Sequence, residues 1–119
     1  MTLDDRAPAV DAAVLVRLAE EVGGVEEVVE LYLRALPLRC ASIAHALAAG
    51  DAVTLRQTAH TLQSASAFVG AMPLAALCAR LEEASQRSQL PVGVGEEVAE
   101  EARRVERELR ALLATHPFG

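Results

Sequence analysis

Apolar residues recur along this chain at helical spacing, and no stretch alternates with the two-residue period of a strand. The longest stripe is Val25, Val29, Tyr32, Leu36, Cys40, Ile43 and Leu47, which steps by three or four residues for about six turns. Pro37 lies inside it and predicts a kink, or a split into two helices near Leu36. Ahead of it, Asp11 offers an N-cap to a short helix with Val14, Leu15, Leu18 and Val22 on one face, ended by Gly23-Gly24. Gly50-Asp51 then stops one helix and caps the next. That third helix runs to about Val69, centres its apolar face on Leu62 with Leu55, Thr58, Ala59, Ala65, Ser66 and Val69, and is closed by Gly70.

Pro73 suits the first turn of a fourth helix, whose stripe is Leu74, Leu77, Cys78, Leu81 and Ser85. Ser88 to Gly95 reads as a loop. A last helix carries Val98, Ala102, Val105, Leu109 and Leu112 inward, and Glu100 with Arg104 and Glu106 with Arg110 on a face expected to be solvated. The expectation is an all-α fold: an antiparallel four-helix bundle with an additional short N-terminal capping helix. Residues 1–119 form a single domain in this reading, with 1–8 as a loose lead-in.

Composition sharpens the picture. Apolar residues are 52 % of the chain, yet there is no Trp, one Tyr and two Phe, so Leu, Val and Ala must build the core. No window reaches the roughly 18 uninterrupted apolar residues of a membrane span, and Met1-Thr2-Leu3-Asp4-Asp5 lacks the regions of a secretory signal. The two cysteines, Cys40 and Cys78, sit in apolar stripes without metal spacing and read as small core residues in a reducing compartment, hence the cytoplasm. A formal charge of −6 argues against a nucleic-acid partner, which would call for a basic face.

Candidate chemistry concentrates between Ala59 and Gly70. His60 projects about 160° from Leu62, toward solvent, beside Arg56, Gln57, Ser64 and Ala67, with Gln63 and Phe68 on the flanks. His45 also projects away from its own stripe, so exposure by itself does not single out His60. The string around His60 does: Ala59, His60, Leu62, Ser64, Ser66, Gly70 and Ala71 match the phosphoacceptor motif Ala-His-x-Leu-Lys-(Gly/Ser)-x-(Ser/Ala)-x-x-x-Gly-(Ala). The stretch thus resembles histidine phosphotransfer (HPt) domains. The likeness extends over nearly the whole chain, through the internal Pro, Gly-Asp, Gly-Ala and the later Leu-Cys-x-x-Leu-Glu.

The resemblance implies a phosphoryl carrier with His60 as phosphoacceptor, working between the aspartates of receiver domains in a multistep phosphorelay. It also implies a hybrid histidine kinase as a further partner, no autonomous catalysis, no cofactor of its own, and Mg²⁺ on the partner receiver. A neutral imidazole is a good nucleophile near pH 7, and phosphoryl transfer needs mainly positioning and charge neutralisation. No Gly-rich nucleotide loop and no Glu-x-x-His pair is present to suggest an enzyme. By the same resemblance Glu82 faces the histidine and accepts a hydrogen bond from one ring nitrogen; otherwise it is a helix-rim carboxylate in water.

Ser64 and Ala67 supply a low surface for an approaching receiver, together with Gln57, and Phe68 is either an exposed anchor or half-buried at the bundle rim. Gln63 departs from the family, which has Lys there. Transfer is then slower, or another cation substitutes, or the chain is a degenerate relative that docks a receiver or kinase without being phosphorylated. Arg56, four residues before His60 on the same face, is the candidate substitute; the alternative is an ordinary surface residue. A monomer is expected.

Overall fold

The structure is a computed structural model that describes residues 7–87, 89–90 and 93–115. Five helices follow in order: α1 (Ala12–Val22), α2 (Val25–Ala49), α3 (Ala52–Phe68), α4 (Met72–Gln86) and α5 (Val94–Thr115). Asp11 and Asp51 start α1 and α3 as expected of N-caps, their carboxylates accepting from the Ala13 and Thr54 amides. Gly50 ends α2 in the left-handed region (φ 67°), where its amide reaches back to the Ala46 and Leu47 carbonyls.

Pro37 does not split the long helix. It is exposed, and the helix runs through it unbroken from Val25 to Ala49. The loop after α4 is shorter than its composition suggests, because Val94 and Gly95 already belong to α5. Ser88, Pro91 and Val92 of that expected loop lie outside the described residues, as do residues 1–6 of the expected lead-in.

Short links make successive helices antiparallel. α2 packs on α3 and α5, and α4 packs on α3 and α5, so α3 and α5 stand at opposite corners of the bundle. The α3–α4 seam is the most extensive. Leu15, Ile43, Leu55, Leu62, Leu74, Leu81 and Leu109 are fully buried, with Val25, Val29, Val98 and Val105 between them. Several predicted core positions are only partly buried, among them Val14, Cys40, Leu47, Leu77 and Leu112, and Val22, at the end of α1, is 59 % exposed.

The short α1 abuts the corner where α3 turns into α4. The Asp11 amide donates to the Gly70 carbonyl (2.9 Å), and Gly70 has φ 85°. A Cβ there would lie 2.8 Å from the Asp11 carbonyl oxygen and 3.0 Å from Val14 Cβ. Only glycine accepts both that backbone conformation and that proximity.

α5 corrects the expectation of a fully solvated charged face. Glu106 and Arg110 do pair in the open, at 3.1 Å. Arg104, however, is 5 % exposed and forms a two-pronged bond to buried Glu101 at 2.8 and 3.0 Å. The cause is the segment Ala7–Val10, which lies as a strap across this face. Arg104 donates to the Ala7 carbonyl (2.7 Å), and the Glu108 carboxylate accepts the Ala9 and Val10 amides, each at 3.0 Å. The strap covers the charges, and the charges in turn satisfy its backbone. Its inner residues Ala9 and Val10 join the hydrophobic core.

Candidate functional site: an exposed histidine oriented across the α3–α4 seam

α3 buries Leu55, Ala59, Leu62 and Ser66. Helical geometry therefore turns His60 outward, and its side chain is 64 % exposed. The ring is nonetheless held. Glu82, one edge away from the α4 stripe of Cys78, Leu81 and Ser85, reaches across the seam so that its Oε2 and Oε1 lie 3.0 and 3.2 Å from His60 Nδ1. A carboxylate oxygen can only accept, so Nδ1 carries the proton and Nε2 of the neutral ring keeps its lone pair. The Glu82 side chain is 22 % exposed, and the Ser85 hydroxyl donates to the Glu82 backbone carbonyl at 2.7 Å, a bond inside the same helical turn.

The other candidate residues divide around His60. On the α4 side, Arg56, Gln57, His60, Thr61, Glu82 and Gln86 line one shallow depression. On the α2 side, Ser64 and Phe68 join Val28, Leu31, Tyr32, Ala35, Arg39, Ala65 and Val69 around an apolar groove. Leu31 and Phe68 are 60 % and 52 % exposed on its rim. Ala67 is half-buried, and Gln63, also half-buried, lines neither concavity.

Thr61, Gln86, Leu31 and Arg39 were not singled out by sequence. Gln86 had a signal, since it stands four residues after Glu82 on the same helix face. Leu31 had none, because a lone apolar residue outside a stripe is common on protein surfaces.

Beneath the groove, the Tyr32 hydroxyl and Ser66 Oγ share a buried hydrogen bond of 2.8 Å. Burial pushes the Tyr32 phenol well above its ordinary value, and pushes the Cys78 thiol up to about 12 and the Cys40 thiol upward as well. All three stay protonated near neutrality, so none competes with His60 as a nucleophile. His45 is exposed near the α3 N-cap, without a hydrogen bond among the described residues. The neighbouring Asp51 carboxyl is held below its usual range, chiefly by hydrogen bonding with Thr54. Among the described residues no group of three His, Cys, Asp or Glu side chains converges in a way that could hold a metal ion. Nor is any of the described helices long and apolar enough to cross a membrane.

No curated protein sequence matches the chain significantly. Solved structures do. The histidine-containing phosphotransfer protein B (HptB) from Pseudomonas aeruginosa PAO1 is 30 % identical, covers 94 % of this chain and 100 % of its own, and superposes with a TM-score of 0.86. The HPT domain of the Hpt sensor hybrid histidine kinase from Shewanella is 26 % identical over 87 % of this chain and 91 % of its own, with a TM-score of 0.73. The family model for the Hpt domain matches residues 27–115, a span that runs from the first turn of α2 to the end of α5 and holds both partners of the His60–Glu82 pair. With that match, the chain belongs to the Hpt domain family of phosphotransfer proteins.

Proposed function

We propose that His60 accepts and donates the phosphoryl group of a phosphorelay through Nε2, and that receiver domains are its partners. The observation that carries this is the Glu82 contact at Nδ1, which leaves Nε2 as the free nucleophilic nitrogen on an exposed ring. In the forward step the Nε2 lone pair attacks phosphorus, and the P–O bond to the receiver's aspartate breaks. That carboxylate leaves with the electron pair. The ring retains the Nδ1 proton and becomes a cationic phosphoimidazole, whose positive charge faces the Glu82 carboxylate. The reverse step restores a neutral ring and a phospho-aspartate.

A carrier of this kind needs no catalytic apparatus of its own. In this reading a divalent cation that neutralises the transferred group is brought by the receiver. The groove beside Ser64, with Leu31 and Phe68 at its rim, supplies apolar docking area next to the nucleophile. Ser64 and Ala67 leave the approach low. The same reading makes the protein a cytoplasmic monomer, in keeping with its two free thiols, Cys78 buried and Cys40 half-buried.

The test is incubation with receiver domains charged by acetyl phosphate, followed by acid-labile phosphate analysis. The parent protein and His45→Gln should be labelled, and His60→Gln should not, with its helical circular dichroism and melting unchanged. Ser64→Leu should slow labelling without unfolding the helix. Labelling that survives in His60→Gln would refute the assignment. A parent protein that binds receivers and is never labelled would instead be a docking module.

A further inference from the structure

A phosphoryl group on His60 adds about two negative charges at neutral pH. It does so beside Glu82, whose carboxylate lies 3.0 Å from the ring. The phosphoryl oxygens on Nε2 and the Glu82 carboxylate at Nδ1 then flank one ring, and together they outweigh the ring's single positive charge, so the phosphorylated state calls for a cation on the same surface. In the depression that holds His60 and Glu82, Arg56 is the one cationic side chain. Arg87, Arg104 and Arg110 are each tied to a glutamate, whereas Arg56 has no hydrogen bond or ion pair among the described residues. Four residues separate Arg56 from His60 on one rigid helix, a rise of about 6 Å. Side chains on a helix lean toward its N-terminus, which tilts His60 over Arg56. Gln63 lies toward the C-terminus, is half-buried and cannot neutralise charge.

We infer that the depression on the α3–α4 seam receives the phosphoryl oxygens and that Arg56 is their counter-charge. This rests on His60 being the phosphoacceptor. The guanidinium takes part in no bond change; it offers a fork of N–H donors to the oxygens in both directions of transfer. The amides of Gln57 and Gln86, on the same rim, add neutral donors. The site is thereby placed on the N-terminal side of His60, away from the apolar groove, so that docking and charge neutralisation use different flanks of one side chain.

The experiment uses the full chain with Arg56→Ala, Arg56→Lys, Gln63→Lys on the Arg56→Ala background, and His60→Gln. Each is mixed with a receiver charged by acetyl phosphate. Readouts are the acceptance rate at two ionic strengths and the phosphorus NMR shift of the phosphohistidine. Arg56→Ala should slow acceptance by about tenfold to a hundredfold, weaken its salt dependence and move the phosphorus resonance. Arg56→Lys should recover most of the rate, and Gln63→Lys should recover part of it. Should His60→Gln still be labelled, the underlying assignment falls and this inference with it. Should His60→Gln be silent while Arg56→Ala keeps the parent rate and resonance, this inference alone is overturned. An Arg56→Lys variant as slow as Arg56→Ala would also overturn it, because charge would not be what the position supplies.

Discussion

Replacing Glu82 by Gln keeps the shape of the side chain and an acceptor oxygen but removes the charge that faces the ring. In the transferred state that ring is cationic, and its Nδ1 lies 3.0 Å from Glu82 Oε2. Coulomb attraction at this distance is about 1.4 kcal/mol at the permittivity of water and about 5.5 kcal/mol at an effective value of 20. His60 is 64 % exposed, so solvent screens the pair and the lower figure governs. A loss of about 1–2 kcal/mol corresponds to phosphoryl acceptance slowed roughly fivefold to thirtyfold. Glu82→Ala should be slower still, since the ring then loses the partner that fixes its tautomer and orientation. Stopped transfer reactions from a charged receiver give the rate, and melting curves should show both variants folded like the parent. Glu82→Gln transferring at the parent rate would refute the reasoning, because the contact would then be an accident of packing.

Two further substitutions probe the frame. Gly70→Ala should cost about 2–4 kcal/mol, from left-handed backbone strain and the clash with the Asp11 carbonyl, and lower the melting temperature by roughly 10 °C; Gly50→Ala, with open space around it, should cost only about 1 kcal/mol. Equal shifts for the two glycines would show that the α1 contact carries no weight. Cys78 should resist alkylation at pH 8 by about three orders of magnitude relative to a free thiol, since its value is pushed up to about 12. Because the folded value lies above the unfolded one, stability should be complete below about pH 8.5 and fall as pH rises toward 12; melting temperatures across that range should fall less steeply in Cys78→Ala.

The helices were legible because their information is local: apolar spacing, Asp caps and glycine stops lie within a few residues of the boundaries they set. His60 was legible for the same reason, as a polar residue turned away from Leu62 within a motif of adjacent positions. Gln86 was missed and Glu82 was reached only through the family resemblance: both lie more than twenty residues further on, and their place beside His60 depends on how α3 and α4 register, which a helical projection of either one does not contain. Arg104 and Glu101 show the limit most clearly. By sequence they belong to an ordinary charged face. Arg104 is buried beneath a strap from the other end of the chain, ninety-seven residues away, and holds Glu101 in a buried pair beside it. Pro37 shows the opposite case, a strong local breaker signal overridden by packing on both sides of an exposed position.

That strap has a practical bearing on how the domain can be joined to other things. Ala7 to Val10 are fastened to α5, the corner of the bundle diagonally opposite the helix that bears His60. Ala7, where the described residues begin, therefore lies against α5 and not beside the face that a receiver would approach, so a tag, fluorophore or neighbouring domain is best joined at that point. An attachment through α2 near Leu31 would crowd that face directly. The fold thus has a handle and a working end, and the two are kept apart by the width of the bundle.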